Sequence, residues 1–197
     1  MSSTQGMPTE EQCLRILREE GCARNVIEHV CTVERIAIEI AARSGADLQM
    51  VKAGALLHDV GRCRRHDALH ASEGAQIAIE RGLPDPLVRI IRRHIAAGLT
   101  HEEAKAIGLP PGDYMPETLE EKIVCHSDNL VKGTNGVQTL EEAVREMRHR
   151  GYPVTADRMK AMHAELSAAS GVDVNLIVKQ VRDQKSVKGP CAGYISP

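Results

Sequence analysis

The stretch Ala53-Gly54-Ala55-Leu56-Leu57-His58-Asp59-Val60-Gly61-Arg62 sets an imidazole and a carboxylate side by side at the end of an apolar run. A protein interior does not accept such a pair alone, because burying unpaired polar groups and charges is costly. A divalent metal ion satisfies both at once. A lone His-Asp dipeptide carries little information. It gains meaning when further ligands stand where a fold can gather them. The apolar run itself reads as a helix, opened by Asp47 as N-cap and ending near the pair at Gly61.

Helical periodicity continues in both directions from this segment. Upstream, Pro8 to Glu20 reads as a helix stopped by Gly21. Asn25 to Ser44 reads as a longer one closed by Gly45, with Val26, Val30, Val33, Ala37 and Ile40 on its apolar face and His29 among them. Downstream, 62–70 reads as a polar, basic loop, followed by helices near 71–81, 84–96 and 100–107. Leu109 to Pro116 is a Pro-rich loop, Glu117 to Val131 a helix carrying Asp128 near its end, and Gly-Thr-Asn-Gly after it a turn. Thr100-x-x-Glu103 and Thr139-x-x-Glu142 are capping boxes that open further helices. Helices near 155–169 and 173–183 precede a tail rich in Gly, Pro and Ser. Neither a repeat nor a convincing strand emerges. The expected fold class is all-α.

Composition agrees with that expectation. The chain has 197 residues, 42% of them apolar, with no Phe, no Trp and three Tyr. Its core must be built from Leu, Ile, Val, Ala and Met, which suits helix-on-helix packing. A net charge of −2 gives no overall basic footprint, and near-absence of aromatics removes stacking platforms for single strands, so long nucleic acid is not expected as a partner. The six cysteines (13, 22, 31, 63, 125 and 191) are scattered with no Cys-x-x-Cys pair, which excludes a zinc ribbon and gives no disulfide framework. With no signal-peptide core and no membrane-length apolar run, the expectation is a reduced, soluble, cytoplasmic protein without a membrane partner.

The candidate metal ligands are His29, His58, Asp59 and Asp128, with His70 and His94 as a second group. They fall on different helices or helix ends, as when a bundle builds a metal site from inward-pointing side chains. Without thiolate in the set, they suit Fe, Mn, Co, Ni or Zn. Each has a plainer reading. His29 fits a core histidine with one hydrogen bond, Asp128 a helix-end hydrogen bonder, His94 a helix C-terminal cation and His70 a residue before a helix start. His66, His101, His126, His149 and His163 are read as surface or core residues. The ordered combination carries the argument.

That order resembles the metal-dependent phosphohydrolases of the HD superfamily. The resemblance runs from about Asn25 to Val131 and is densest at Leu56-Leu57-His58-Asp59-Val60-Gly61-Arg62. It implies an all-helical HD bundle in which His29, His58, Asp59 and Asp128 bind one or two divalent transition-metal ions. Within the superfamily, His70-Ala-Ser-Glu-Gly-Ala, His94 and Leu119-Glu-Glu-Lys-Ile123 are similar to the branch that hydrolyses diadenosine tetraphosphate, where such histidines hold a second ion. His126-Ser-Asp128-Asn departs from that branch. The implied organisation is an N-terminal helix (1–24), a metal-binding core (25–136), C-terminal helices packed on it (137–184) and a flexible tail (185–197).

The resemblance implies hydrolysis of a phosphoester or phosphoanhydride in a small, nucleotide-like substrate by metal-activated water. Asp59 would bridge two ions and orient the water, and His94, if not a ligand, would bind substrate phosphate or protonate the leaving group. Arg62 is expected to clamp phosphate, with Arg64, Arg65, Arg92 and Arg93 adding positive charge. Tyr114 is a candidate grip for a base. The alternatives are a non-catalytic metal- and nucleotide-binding regulatory module, a di-iron oxygenase of HD type, and a purely structural helical protein. The helices after 139 either cover the core or form a homodimer face.

Overall fold

The computed structural model describes residues 6–184 and 190–194. Its elements in chain order are α1 (Glu10–Glu19), α2 (Arg24–Ser44), α3 (Leu48–Leu57), a 3₁₀ turn (Val60–Cys63), α4 (His70–Glu80), α5 (Asp85–Arg93), α6 (His101–Ala106) and α7 (Leu119–Asn129). A short hairpin of β1 (Val131–Lys132) and β2 (Gly136–Val137) follows, then α8 (Leu140–His149), α9 (Pro153–Ser170), α10 (Val174–Asp183) and a second 3₁₀ turn (Pro190–Gly193). The all-α expectation holds. The antiparallel pairing of Val131 with Val137 is the correction to it.

Helix α2 is the axis of the molecule. Its predicted face is buried throughout: Val26, Val30, Val33, Ala37 and Ile40 join Ile36 and Ala41 against α3, α7, α9 and α10. Truncating Ile36 or Ile40 to Ala would cost on the order of 2–5 kcal/mol. Gly45 stops the helix with φ 76°, a left-handed conformation that a side chain would strain. Thr9, Thr100, Thr118 and Thr139 each cap a helix through a reciprocal box with Gln12, Glu103, Glu121 and Glu142.

The C-terminal helices cover the core. Met159, Met162 and Leu166 of α9 and Ile177, Val178 and Val181 of α10 are buried in the same cluster as the α2 and α7 side chains. Of the sequence-predicted tail, 185–189 and 195–197 lie outside the described residues. Residues 190–193 turn beside α1, with Cys191 buried.

The reading of six unpaired thiols is corrected. Cys22 is joined to Cys63 and Cys31 to Cys191, while Cys13 and Cys125 are free and buried. The partners stand 41 and 160 residues apart, so no short spacing announced them. Among the described residues, no helix is long and apolar enough to cross a membrane.

Candidate metal centre and cleft

Five elements deliver the predicted ligands to one place. His29 comes from the second turn of α2 and Asp128 from the last turn of α7. His58 is the C-cap of α3, His94 the C-cap of α5 and His70 the first residue of α4. Asp59 sits between α3 and the 3₁₀ turn, with φ −97° and ψ 14°. The helix expected to reach Gly61 therefore ends at Leu57. Gly61 then lets the turn press against α4: a Cβ there would overlap the backbone oxygen of His70 and lie 2.6 Å from the nitrogen of Gly74. That close approach brings His70 to Asp59.

One arrangement repeats in all four histidines. Each Nδ1 donates to a backbone carbonyl: His29 to Gly133 at 2.8 Å, His58 to Ala55 at 2.7 Å, His70 to Asp67 at 2.7 Å and His94 to Ile91 at 2.6 Å. A carbonyl only accepts, so the Nδ1 proton is fixed and each neutral ring keeps a bare Nε2. Those four Nε2 atoms face two carboxylates. His29 Nε2 lies 2.9 Å from Asp128 Oδ1 and 3.6 Å from Asp59 Oδ2, and His58 Nε2 is 3.5 Å and 3.7 Å from the same atoms. On the other side, His70 Nε2 and His94 Nε2 stand 3.1 Å and 3.5 Å from Asp59 Oδ1.

Acceptors outnumber donors in this cluster, where Arg62 Nε and, when protonated, His29 Nε2 are the donors to the carboxylates. His58 Nε2 and Asp59 Oδ1 are buried with no hydrogen-bond partner. An unsatisfied buried polar atom costs about 1–3 kcal/mol, so a cation is the natural complement. The separations agree: two ligands about 2.1 Å from one ion and at right angles lie about 3.0 Å apart. His29, His58 and Asp59 form one set within metal reach, and Asp59, His70 and His94 form another.

Electrostatics follow from the same packing. Burial works against ionisation of Asp59, but His58, His70 and His94 outweigh it and hold the carboxyl well below its usual range. Burial likewise opposes ionisation of Asp128, and His58 and His29 overcome it. For His29, burial pulls the pKa down, yet Asp128 and then Asp59 lift it to about 8. Burial and the neighbouring rings of His58 and His70 keep the His94 pKa low.

The centre is the floor of a cleft of about 660 Å³. His29, Asp59 and Asp128 line it, whereas His58, His70 and His94 lie behind them. Arg62 stands at the mouth and donates through Nε to Asp59 Oδ2. The positive charge expected from Arg64, Arg65 and Arg93 is spent elsewhere, while Arg92 does not line the cleft. Arg93 is buried between Asp113, Glu117 and Glu121, Arg64 is paired with Glu20 and Glu73, and Arg65 with Asp67. Tyr114 cannot grip a ligand, being 2% exposed with its hydroxyl donated to Pro110 O.

The family model of the HD domain matches residues 26–133, more than half of the chain. The chain belongs to the HD domain family. A tRNA (cytidine(56)-2'-O)-methyltransferase of Picrophilus torridus is 42% identical over 175 residues, covering 89% of this chain and 51% of that protein. An uncharacterized protein of Methanocaldococcus jannaschii is 44% identical over 145 residues, covering 71% of this chain and 85% of its own. The HD domain of the L. monocytogenes phosphodiesterase PgpH, solved with cyclic-di-AMP, superposes with a TM-score of 0.53 at 18% identity, covering 89% of this chain and all of that one, and shares the fold. This chain spans about half the length of the methyltransferase-named relatives. A relative named for tRNA also runs against the expectation of no long nucleic-acid partner. Net charge and aromatic poverty argue against a broad binding face, not against a few residues in a cleft.

Beyond the candidate metal centre of this HD domain, sequence reasoning missed the cleft's outer wall. Lys132, Arg150 and Tyr152 line it. All three are exposed, Lys132 in a two-residue strand and Arg150 and Tyr152 in a short connection, where periodicity carries no signal. His126 and His163, assigned to surface or core, are both buried and bonded to each other at 3.0 Å, with His163 Nε2 at 3.1 Å from Asp173 Oδ1. His66, His101 and His149 are exposed.

Proposed function

We propose that this chain is a metal-dependent phosphohydrolase, cleaving a phosphoester or phosphoanhydride bond in a nucleotide-like molecule with water as nucleophile. The convergence of four histidine Nε2 atoms and two ionised carboxylates at and just behind the floor of an open cleft carries this reading. His29, His58, Asp59 and Asp128 would hold one ion and Asp59, His70 and His94 a second, with Asp59 offering Oδ2 to the first group and Oδ1 to the other. Divalent ions lower the pKa of water and polarise a phosphoryl oxygen. His94 is 1% exposed and turned inward, so its role is ligand rather than contact with substrate. Arg62 keeps its terminal nitrogens for phosphate while its Nε fixes the Asp59 carboxylate. A dinucleoside polyphosphate, as in the branch that His70 and His94 suggest, belongs to this substrate class.

The test is metal analysis of protein purified without added metal, then a hydrolysis screen with Mn, Fe(II), Co, Ni, Zn and Mg. The panel holds mononucleotides, dinucleoside polyphosphates and cyclic dinucleotides. Metal-dependent phosphate release, abolished in a folded Asp59→Ala variant, is the expected result. Bound metal without turnover on any substrate would shift the reading to a binding module, and oxygen uptake to an oxygenase. A protein that neither carries nor takes up metal would overturn the site.

The tRNA-named relatives favour a second reading of the substrate, in which the phosphoester lies in RNA. Short oligonucleotides with terminal phosphates on the same panel decide between the two.

A further inference from the structure

We propose that Tyr152 and Arg150 form a nucleobase-and-phosphate subsite at the outer end of the cleft, so that the α8–α9 connection selects the substrate. This deepens the phosphohydrolase reading and rests on it. The cleft joins two chemically different ends. At the floor stand His29, Asp59 and Asp128, and at the rim stand Ile107, Arg150 and Tyr152. Tyr152 is 53% exposed and Ile107 47%, two large apolar side chains left open to water on the edge of one cavity. A planar, partly apolar group is the ligand that such surfaces accept, and the Tyr152 ring is the one exposed aromatic face lining the cleft.

Charge sharpens the assignment. The Arg150 guanidinium carbon lies 5.7 Å from the centre of the Tyr152 ring, so cation and aromatic face are presented together. Among the described residues Arg150 forms no ion pair, whereas Lys132, also on the cleft, is engaged by Glu146 at 2.6 Å. A guanidinium held in no ion pair, its charge felt by Glu146 one turn away, beside an open ring in the same cavity as the candidate metal centre fits a base carrying a phosphate. Arg150 and Tyr152 also lie outside residues 26–133, the segment matched as HD domain. The metal chemistry and the choice of substrate are thereby built from different parts of the chain.

The experiment compares binding of adenosine 5′-monophosphate and of ribose 5-phosphate to the full chain, with and without Mn(II), by calorimetry. The wild type should prefer the base-bearing ligand by about 10-fold or more, the range that stacking of one base supplies. Tyr152→Ala should erase that preference without changing the affinity for ribose 5-phosphate, and Tyr152→Phe should keep it. Arg150→Ala should weaken both ligands. In turnover, Tyr152→Ala should raise KM for nucleotides and spare kcat. Equal affinity of the wild type for both ligands, or a preference that survives in Tyr152→Ala, would overturn this subsite while leaving hydrolysis of phosphoesters standing. Failure to bind either ligand, together with no hydrolysis across the panel, would overturn both readings.

Discussion

His70 and His94 point their Nε2 atoms at each other across 3.0 Å, while each Nδ1 proton is held by a backbone carbonyl. Two neutral rings so fixed present lone pair to lone pair, which only a shared cation or an added proton relieves. The low pKa of His94, set by burial first and then by the adjacent rings, disfavours the proton. His70→Ala should therefore lower the metal content from two ions per chain to one. Activity should fall by at least the roughly 10–100-fold that loss of an outer hydrogen-bond partner already costs. Elemental analysis beside a phosphate-release assay checks this. Undiminished metal content would show that the second group is not a ligand set.

The geometry of that pair depends on a residue with no side chain. At Gly61 the 3₁₀ turn meets the start of α4 so closely that a methyl group would overlap His70 O. Gly61→Ala should force the two elements apart, cost about 1–3 kcal/mol as overpacked sites do, and move His70 away from Asp59. The expected outcome is a lower Tm together with weaker binding of the second ion. A variant that melts and binds metal like the wild type would mean that the backbone yields there at no cost.

The parts legible in the sequence were those governed by period or by order. The buried face of α2 was written in the 3.6-residue spacing of Val26, Val30, Val33, Ala37 and Ile40. The clustering of the candidate ligands was written in the succession His29, His58-Asp59, Asp128, which no local propensity explains. Illegible were features that depend on which distant surfaces meet. Tyr114 and Tyr152 are both tyrosines in connections between helices, and only the fold buries the first and opens the second onto the cleft. The arginines 64, 65 and 93 looked like a basic field until their acidic partners closed around them. The hairpin after α7 was too short to show alternation, yet Gly133 at its turn supplies the carbonyl that orients His29.

The cysteines give a prediction independent of any activity. Cys31 lies two residues beyond His29, and its bond to Cys191 ties the C-terminal turn to α2. Alkylation of the unfolded, unreduced protein should modify only Cys13 and Cys125, and all six cysteines after reduction. Loss of a closed loop of this length typically costs 2–5 kcal/mol, so reductant should also lower the urea midpoint. Six labelled cysteines without reductant would show the pairs to be open in solution.

Glu34 supplies a test of pH dependence outside the candidate metal centre. It lies on α2 at 6% exposure, and the nearby ammonium of Lys52 is bonded to Glu10 instead. Burial, then the charge of Glu10, push its pKa up to about 8, with Lys52 only partly opposing. A carboxyl whose folded pKa exceeds its unfolded value binds its proton more tightly in the native state. Between the ordinary carboxylate range and about pH 8, the folded protein therefore holds more protons than the unfolded one, and stability declines as pH rises through that window. Glu34→Gln keeps the shape and removes the charge. The variant should match the wild type near pH 5 and exceed it at pH 9 by an amount on the order of a few kcal/mol. Urea unfolding midpoints of both proteins across that range measure the difference, and parallel curves would show that Glu34 ionises at its ordinary pKa.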